Sequence, residues 1–497
     1  MKTHAISVMP RTAACAALLA LTACSFAPTS VPPSVREPVR YGAEALPDRT
    51  VAAQGTAQQF VQGARPVPAW WRLYRCDALD ALVEEGLRNS PTLAAADLSL
   101  AAARDQLRAS IGSVLLPSID FVGAASRMGI PGVVEGGPDT YRYDVFAGQL
   151  QASYTFDLFG ATRYANAALS ARVDEQAYRF DAARRALAAN IVTAVIAAAV
   201  LREQIAETER LVAIGNQLAD EAQQRHGSGA LALADLLAAR QSAYALSAAL
   251  PALNQQRLSA RHALAALLGR TPDNAPADLN LAQLHLPEQV PVVVPSDLLR
   301  ARPDIEAAEA TLKAAAADVG AATAQFFPSI SLSASIGRGG IELLPALSGA
   351  GAIWSVGGWL SQPIFHGGAL VAQRRGAQHA YEAAAAQYRA TVLGAFANVS
   401  DALAALVHDA QALDAARSAV DNAQQIADQA AARLKLGAVP ASAVHLSGQR
   451  WHNARLDEIR YLGARLTDTA ALFQAMGSPP GEVTLRDALV ARANSGE

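Results

Sequence analysis

The sequence predicts an α+β membrane protein built from two copies of one structural unit. Three observations support this prediction: segments in which apolar and polar residues alternate, long segments with a heptad pattern of apolar residues, and a second occurrence of both patterns further along the chain. Alternation is typical of strands with one apolar face, and heptads are typical of coiled-coil helices. The 497 residues are 52% hydrophobic and only 17% charged, which is a low charge content for a soluble protein.

The charge balance and the motif content exclude several function classes. With 41 Lys+Arg against 44 Asp+Glu, the formal net charge is -3, so the chain has no basic field for nucleic acid. The nine histidines show no paired-ligand spacing, and the sequence has no P-loop, G-x-G-x-x-G or G-x-S-x-G motif. We therefore expect a protein that is not an enzyme and that has no catalytic residues and no metal site.

The N-terminus is typical of an exported protein. Lys2 and Arg11 precede the apolar run "AACAALLALTA", which is too short to span a bilayer. The following "LTAC" resembles the bacterial lipobox, which implies cleavage before Cys24 and lipidation of that residue, palmitate included. Ser25 rather than Asp after the cysteine favours delivery to the outer membrane. The alternative is an ordinary signal peptide with an incidental cysteine.

Beyond the N-terminal segment, Cys76 is the only cysteine, so no internal disulfide is expected. No later segment reaches 18 uninterrupted apolar residues; the best candidate, "IVTAVIAAAVL" at 191–201, is too short and contains Thr193. If the chain crosses a membrane, we expect it to cross as strands.

The chain contains an internal repeat. Residues 218–269 align without gaps on 426–477 at an offset of 208. The identical pairs include Arg225/Arg433, Gly229/Gly437, Gln241/Gln449, Arg257/Arg465 and Gly269/Gly477. The flanks agree, since Pro91 matches Pro303. We predict a signal peptide at 1–23, an acylated extended segment at 24–75, repeat 1 at 76–285, repeat 2 at 286–480 and a C-terminal tail at 481–497.

Each repeat should contain a β-hairpin, at about 118–158 and at about 329–364. Apolar and polar residues alternate in both hairpins. The second hairpin has the apolar residues Ile330, Leu332, Ala334 and Ile336 between the polar residues Ser331, Ser333 and Ser335. The first hairpin has the apolar residues Phe146, Leu150, Ala152, Tyr154, Phe156 and Leu158, which alternate with the polar residues Gln149, Gln151, Ser153, Thr155 and Asp157. Such strands fit a transmembrane β-barrel with lipid outside, and a small soluble sandwich is the alternative. Four strands cannot close a barrel, so the chain must oligomerise, as a dimer of eight strands or a trimer of twelve.

After each hairpin we predict a long helix, at about 161–226 and 369–436. Their seams are Leu187, Ile191, Ala194, Ala198, Leu201, Ile205, Thr208, Val212 and Gly215 in the first, and Val392, Phe396, Val399, Leu403, Leu406, Ala410 and Leu413 in the second. The spacing is that of a coiled coil with small residues in the seam. At 1.5 Å per residue each helix would be about 100 Å long. A soluble coiled coil would explain the seams but not the strands.

This pattern resembles the TolC-type outer membrane factors of the NodT/OprM lipoprotein branch. The segments that carry the resemblance are "LLRARPDIEAAEATLKAAAADVGAATAQFFPSISLSASIG" at 298–337, "LSQPIFHGGAL" at 360–370 and "AWWRLYRCDALDALVEEGL" from 69. The resemblance implies a homotrimer with a twelve-stranded barrel in the outer membrane, continued by a helical barrel across the periplasm. It also implies two partners, a periplasmic adaptor and an inner-membrane pump, expected to be of the RND type, and export of drugs, solvents or metal ions.

The resemblance places the functional residues at the turns that follow the long helices, which close the pore and dock the adaptor in that family. Here the docking turns are Arg225 to Gly229 and Arg433 to Gly437. The family's pore-narrowing aspartates correspond to Ala443 and Leu446. This departure puts an acidic gate in doubt, so we predict a constriction at Leu446 with Ser442, and Asp235 is the nearest carboxylate candidate.

Two other functions fit parts of the sequence. A type I protein secretion channel would look much the same, although "RPDIEAAE" and the lipobox favour drug or metal efflux. A non-conducting periplasmic structural or adaptor lipoprotein would explain the lipobox and the heptads, but it leaves the alternating strands without a role.

Overall fold

The structure is a computed structural model that describes residues 26–53, 56–64, 67–131, 140–343 and 351–477. The helices are α1 (Asp77–Asn89), α2 (Pro91–Leu115), α3 (Ala161–Gly227), α4 (Leu233–Leu267), α5 (Pro295–Ala301), α6 (Pro303–Ala324), α7 (Ala369–Lys435) and α8 (Ala441–Met476). The strands are β1 (Gln59–Gln62), β2 (Ser118–Pro131), β3 (Thr140–Phe156), β4 (Gln289–Val292), β5 (Ser329–Gly340) and β6 (Ala352–Ser361). Two compact units result: one contains β2, β3, β5 and β6, and the other contains β1, β4 and most of the helical residues.

The first unit is organised around an antiparallel sheet of order β2-β3-β5-β6. The strands are 14, 17, 12 and 10 residues long. Leu158, predicted on the apolar face of the hairpin, lies beyond the end of β3.

The register of this sheet aligns the apolar residues of all four strands. Leu150 of β3 pairs with Phe121 of β2 and with Ile336 of β5, and Ile336 pairs with Trp354 of β6. These four side chains are 51% to 76% exposed in the single chain. A soluble protein rarely exposes an apolar patch of this extent, so this face requires an apolar environment.

The opposite face of the sheet carries a row of polar residues. Gln151 of β3 pairs with Asp120 and with Ser335, which in turn pairs with Ser355. The hydroxyls of Ser335 and Ser355 are 2.9 Å apart. The predicted alternation of faces is therefore confirmed, because neighbouring strands are in register and the side-chain period is two.

The second unit is held together by the heptad seams. In α7 every predicted seam residue is buried, from Val392 to Leu413. In α3, Ala194, Leu201 and Val212 are half-buried and the other seam positions are buried. By length and composition alone α3 and α7 could each cross a membrane, but burial of these seams means that much of their apolar surface contacts other helices.

Glycines let the helices of this unit approach closely. A Cβ at Gly463 of α8 would lie 2.5 Å from Cγ2 of Val200 in α3, and a Cβ at Gly215 of α3 would lie 3.3 Å from the backbone of Ala243 in α4. Any larger side chain there would separate the helices, because interiors packed at this density do not absorb an extra methyl group easily.

The segment predicted as extended at 24–75 is not extended throughout. It contains β1, which pairs in parallel with β4, and a short 3₁₀ helix at Trp70–Tyr74. Arg465 of α8 fixes this segment to the helices. Its side chain is fully buried, and its guanidinium donates to the side chains of Gln58 and Thr50 at 3.1 and 3.0 Å. The same group donates to the carbonyl oxygens of Ala53 and Thr56.

A pair of carboxyl groups lies beside Arg465. Burial and the neighbouring carboxyl of Asp468 raise the pKa of Asp409 to about 7, while Arg465 opposes this rise. The Asp409 carboxyl therefore retains its proton well above the usual range for Asp, and this proton limits its repulsion with the neighbouring carboxyl.

The two repeats end on glycines with positive φ. Gly269 (φ 73°) and Gly477 (φ 65°) follow α4 and α8. A Cβ at Gly269 would lie 2.5 Å from the carbonyl oxygen of Asn89, and one at Gly477 would collide with the carbonyl of Ala301. Each glycine is thus required by backbone conformation and by a close approach to the start of its own repeat.

We predict that Gly269→Ala destabilises the protein much more than Gly229→Ala. Gly229 has a similar φ of 76°, but no atom lies within 4 Å of the position that a Cβ would take there, so its substitution should cost about 1 kcal/mol of backbone strain. Gly269→Ala adds a backbone collision and should cost about 3 kcal/mol or more. Thermal unfolding of the purified variants checks this, and equal losses would contradict the close approach.

We further predict that thermal stability falls between about pH 4 and pH 7 because of Asp409. Its pKa is raised from 3.8 to about 7, so its contribution is complete below pH 3.8 and is lost as pH rises through 7. We expect the free energy of unfolding of Asp409→Asn to fall by about 1–2 kcal/mol less than that of the wild type over this pH range. This value is reduced for solvent screening because the carboxyl is only half-buried. Asp401→Asn, at an exposed position of the same helix, is the control and should leave the pH profile unchanged.

Candidate functional site

The first predicted docking turn joins α3 to α4. The Ala230 N–H donates to the carbonyl of Arg225 at 2.8 Å, and the Gly229 N–H donates to the carbonyl of His226 at 2.9 Å. Gly229 has a φ of 76°. This arrangement satisfies carbonyls at the C-terminus of a helix through a left-handed glycine. The imidazole Nδ1 of His226 lies 2.9 Å from the Leu231 carbonyl and braces the turn.

The second turn, between α7 and α8, repeats this geometry. The Ala438 N–H donates to the carbonyl of Arg433 at 2.9 Å, the Gly437 N–H donates to the carbonyl of Leu434 at 2.9 Å, and Gly437 has a φ of 70°. The internal repeat therefore extends to individual backbone hydrogen bonds. Pro440 then precedes the first residue of α8.

The arginines contribute their carbonyls to these turns and leave their side chains exposed. Within the described residues, the side chains of Arg225 and Arg433 form no ion pair. Lys435 adds a further cation at the end of α7. Basic groups at a helix C-terminus are stabilised by the helix dipole, and here they also remain available to an acidic partner.

The structure places Asp235 in the first turn of α4, where its side chain is exposed. A carboxylate at this position is favoured by the helix dipole. The dipole is a sufficient reason for an aspartate here, so no role in the pore is needed to account for it. Among the described residues, no hydrogen bond or ion pair connects Asp235 with Ser442.

Ser442 and Leu446 lie one turn apart on α8. Leu446 is 47% exposed and Ser442 is half-buried. Residues four apart share a helix face, so the two side chains can contribute to one surface. Close to them, Gly448 approaches Ile214 of α3, which fixes the start of α8 against the end of the long helix.

Exposed leucines at both turns are an additional feature that sequence reasoning missed. Leu436 is 82% exposed, and Leu233 and Leu237 of α4 are 55% and 53% exposed. Their signal in the sequence is weak, because isolated leucines in a helical pattern are normally assigned to the core. Together with the cations they give the turns an apolar and basic surface.

One predicted site, the acylated cysteine, has no described geometry. Cys24 lies outside the described residues, so its acylation stays a prediction. Within the described residues, no group of three or more His, Cys, Asp or Glu side chains could hold a metal ion.

Comparison with known proteins identifies the family. The outer membrane efflux protein family model matches residues 82–270 and 294–478. The chain is 31% identical over 446 residues to the probable efflux pump outer membrane protein TtgC of Pseudomonas putida, covering 87% of this chain and 90% of that protein. It is 30% identical to the outer membrane protein OprJ of Pseudomonas aeruginosa, with 93% and 95% covered.

A solved structure agrees with these relatives. The open-state MtrE outer membrane channel of Neisseria gonorrhoeae superimposes with a TM-score of 0.74 at 26% identity, covering 90% of this chain and 98% of that channel. The two-faced sheet, the paired long helices and these matches lead to one conclusion: the chain belongs to the outer membrane efflux protein family and is the outer membrane channel of an efflux system.

Proposed function

We propose that three copies of the chain form one passive channel with a twelve-stranded barrel. This proposal rests on the sheet, which has one apolar face and one polar face. Its two edge strands, β2 and β6, each have one side without a partner strand in the described chain. A lipid bilayer does not tolerate unpaired backbone groups, so these edges must pair with other copies. Two copies would give about eight strands with a filled interior, whereas three leave space for a pore.

In this assembly the apolar face contacts lipid and the polar face lines the lumen. Phe121, Leu150, Ile336 and Trp354 would meet acyl chains, and Gln151, Ser335 and Ser355 would meet water. The long helices α3 and α7, 67 residues each, would form the periplasmic part of the conduit. Acyl chains on Cys24 would anchor the N-terminus in the outer membrane.

The channel would receive its substrates from a periplasmic adaptor and an inner-membrane pump of the RND type. Cations and exposed leucines at the two turns support a docking role, since Arg225, Arg433 and Leu436 have exposed side chains. Relatives of the chain are named for antibiotic efflux, toluene efflux and pyoverdine export. For this chain we propose drugs, solvents or metal ions as cargo, with the energy supplied by the pump.

At the closed end we propose an apolar constriction formed by Leu446 and its symmetry mates, with Ser442 beside it. The support is their shared helix face and the partial exposure of Leu446 in the single chain. Narrow apolar rings stop ion flow because water leaves them. Asp235 would then be a charge favoured by the helix dipole in the first turn of α4 and not part of a carboxylate ring.

Two other functions are less well supported. A type I secretion channel would share the barrel, but the matching family model and the relative TtgC are those of efflux proteins. A non-conducting periplasmic lipoprotein would not need an exposed apolar sheet face.

The sheet assignment predicts opposite effects for two adjacent substitutions in β3. Leu150→Lys should prevent assembly in the outer membrane, since a lysine facing lipid costs about 2–4 kcal/mol near the bilayer midplane. Gln151→Lys, one residue along the strand, should assemble normally because it faces the lumen. The readout is the amount of heat-modifiable oligomer in outer membrane fractions. Equal tolerance of both variants would contradict the barrel.

The conduit is tested by single-channel conductance of the purified protein in planar bilayers. We expect a small conductance for the wild type and a severalfold larger one for Leu446→Ala, because a wider ring stays hydrated. Leu258→Ala is the control, since Leu258 is equally exposed (49% against 47%) on α4. Equal conductance of the two variants would refute the Leu446 gate, and no conductance from folded protein would refute the conduit.

A further inference from the structure

Phe26, two residues after Cys24 in the sequence, packs onto an aromatic cluster of the strand-containing unit. The Phe26 ring stacks on Phe327 with centroids 4.7 Å apart, and Phe327 stacks on Phe159 at 4.9 Å. The Phe26 N–H donates to the Tyr164 hydroxyl at 2.9 Å. Three residues later the Tyr381 hydroxyl donates to the Thr29 carbonyl at 3.0 Å. The N-terminal segment is thus held in a defined position.

A cavity of about 480 Å³ lies beside this segment. Its lining combines the segment with residues of α6 and α7: Phe26, Ala27, Pro28, Val319, Thr323, Arg374, Arg375 and Gln378. Two guanidinium groups therefore border one cavity whose remaining walls are mainly apolar.

These two arginines have no carboxylate partner in the described part of the chain. Arg374 lies over the ring of Phe326, 5.6 Å from its centroid, and Arg375 is exposed. On the same helix Glu382 is already engaged by Gln378, at 3.1 Å, and by His379. The positive charge at the cavity is therefore not neutralised by the protein.

An exposed apolar rim precedes the arginines in the sequence. Ile364 and Phe365 are 89% and 85% exposed, and Val371 is 40% exposed on the turn of α7 before Arg374 and Arg375. Side chains three and four apart share a helix face, so Val371 and the two guanidiniums lie on one side of α7. Apolar groups beside cations are the pattern of a membrane interface, where acyl chains meet headgroups.

The place of Cys24 in the sequence supports a location of the cavity at the membrane interface. Phe26 follows it by two residues, which can span at most about 7 Å. Acyl chains on Cys24 enter the bilayer at the headgroup boundary, so Phe26 and the cavity next to it would lie at the same boundary. This step rests on the acylation included in the proposed function.

We propose that this cavity binds the phosphate of an anionic phospholipid headgroup through Arg374 and Arg375. Guanidinium groups suit phosphate because their N–H groups match its oxygens in pairs. Ile364, Phe365 and Val371 would contact the acyl chains of the same lipid. This apolar rim favours a lipid over free phosphate, which would gain nothing from it.

The test is a calorimetric titration of the full-length protein in nonionic detergent micelles with dihexanoyl phosphatidylglycerol. We expect the double variant Arg374→Gln/Arg375→Gln to bind roughly twenty-five-fold more weakly, about fivefold for each arginine. The control is Arg389→Gln, an exposed arginine about 21 Å further along the same helix, and it should bind like the wild type. Dihexanoyl phosphatidylcholine, a zwitterionic lipid, should bind weakly to all of them.

Unchanged binding in the double variant would overturn the proposal. Binding of inorganic phosphate with the same affinity and arginine dependence would also overturn it, because the site would then take a free anion. Mass spectrometry of the N-terminal peptide and conductance of the same preparations test acylation and the conduit separately. Arginine-dependent lipid binding in a non-conducting protein would support the site while refuting the channel.

Discussion

The sheet of this protein depends on backbone hydrogen bonds that a single chain cannot complete. β3 and β5 are paired on both sides, whereas β2 and β6 each carry an edge without a partner in the described chain. In water such edges invite aggregation, and in lipid they are not tolerated at all. The apolar face also needs an environment other than water, because Phe121 and Trp354 are 73% and 76% exposed at its two ends. Edge and face together support the proposed assembly of several copies in a membrane, and they make assembly and membrane insertion inseparable in the proposed channel.

The helical unit is stabilised by a different principle, which is close packing along narrow seams. Alanine and glycine fill much of the contact surface, so the helices approach at sites such as Gly463 against Val200. Small residues bury little area each, and the long seams compensate because many contacts of small energy add up. Arg465 adds specificity, since it holds the segment around Gln58 against α8 through several hydrogen bonds at once. The equivalent arginine of the first repeat, Arg257, instead pairs with Asp278 at 2.5 Å.

How much of this structure could be predicted from the sequence depends on how far apart in the chain the interacting residues lie. Alternation in 330–336 and the heptads of α3 and α7 are local patterns, so the strands and the long helices were accessible from the sequence. The parallel pairing of β1 with β4 joins residues 59–62 to 289–292 and rests on four residues per strand, too few for a periodic signal. The different partners of Arg257 and Arg465 were equally unpredictable from the sequence, because both repeats have an arginine at this position while its surroundings differ. At the turns, the repeated glycines were visible as letters, but the exposure of Leu436 depends on the tertiary structure.

The exposed surface at the turns also bears on how the proposed channel would open. A ring of carboxylates is closed by charge and can be opened by neutralising that charge, so its closure depends on pH and salt. An apolar ring at Leu446 offers no charge to neutralise, and its closure depends on diameter alone. The work of opening must then be mechanical, supplied by a partner that separates the ends of the helices. The cations of Arg225 and Arg433 and the exposed Leu436 lie at those ends, where a docking partner would apply its force directly to the turns, one of which immediately precedes the helix that carries Leu446.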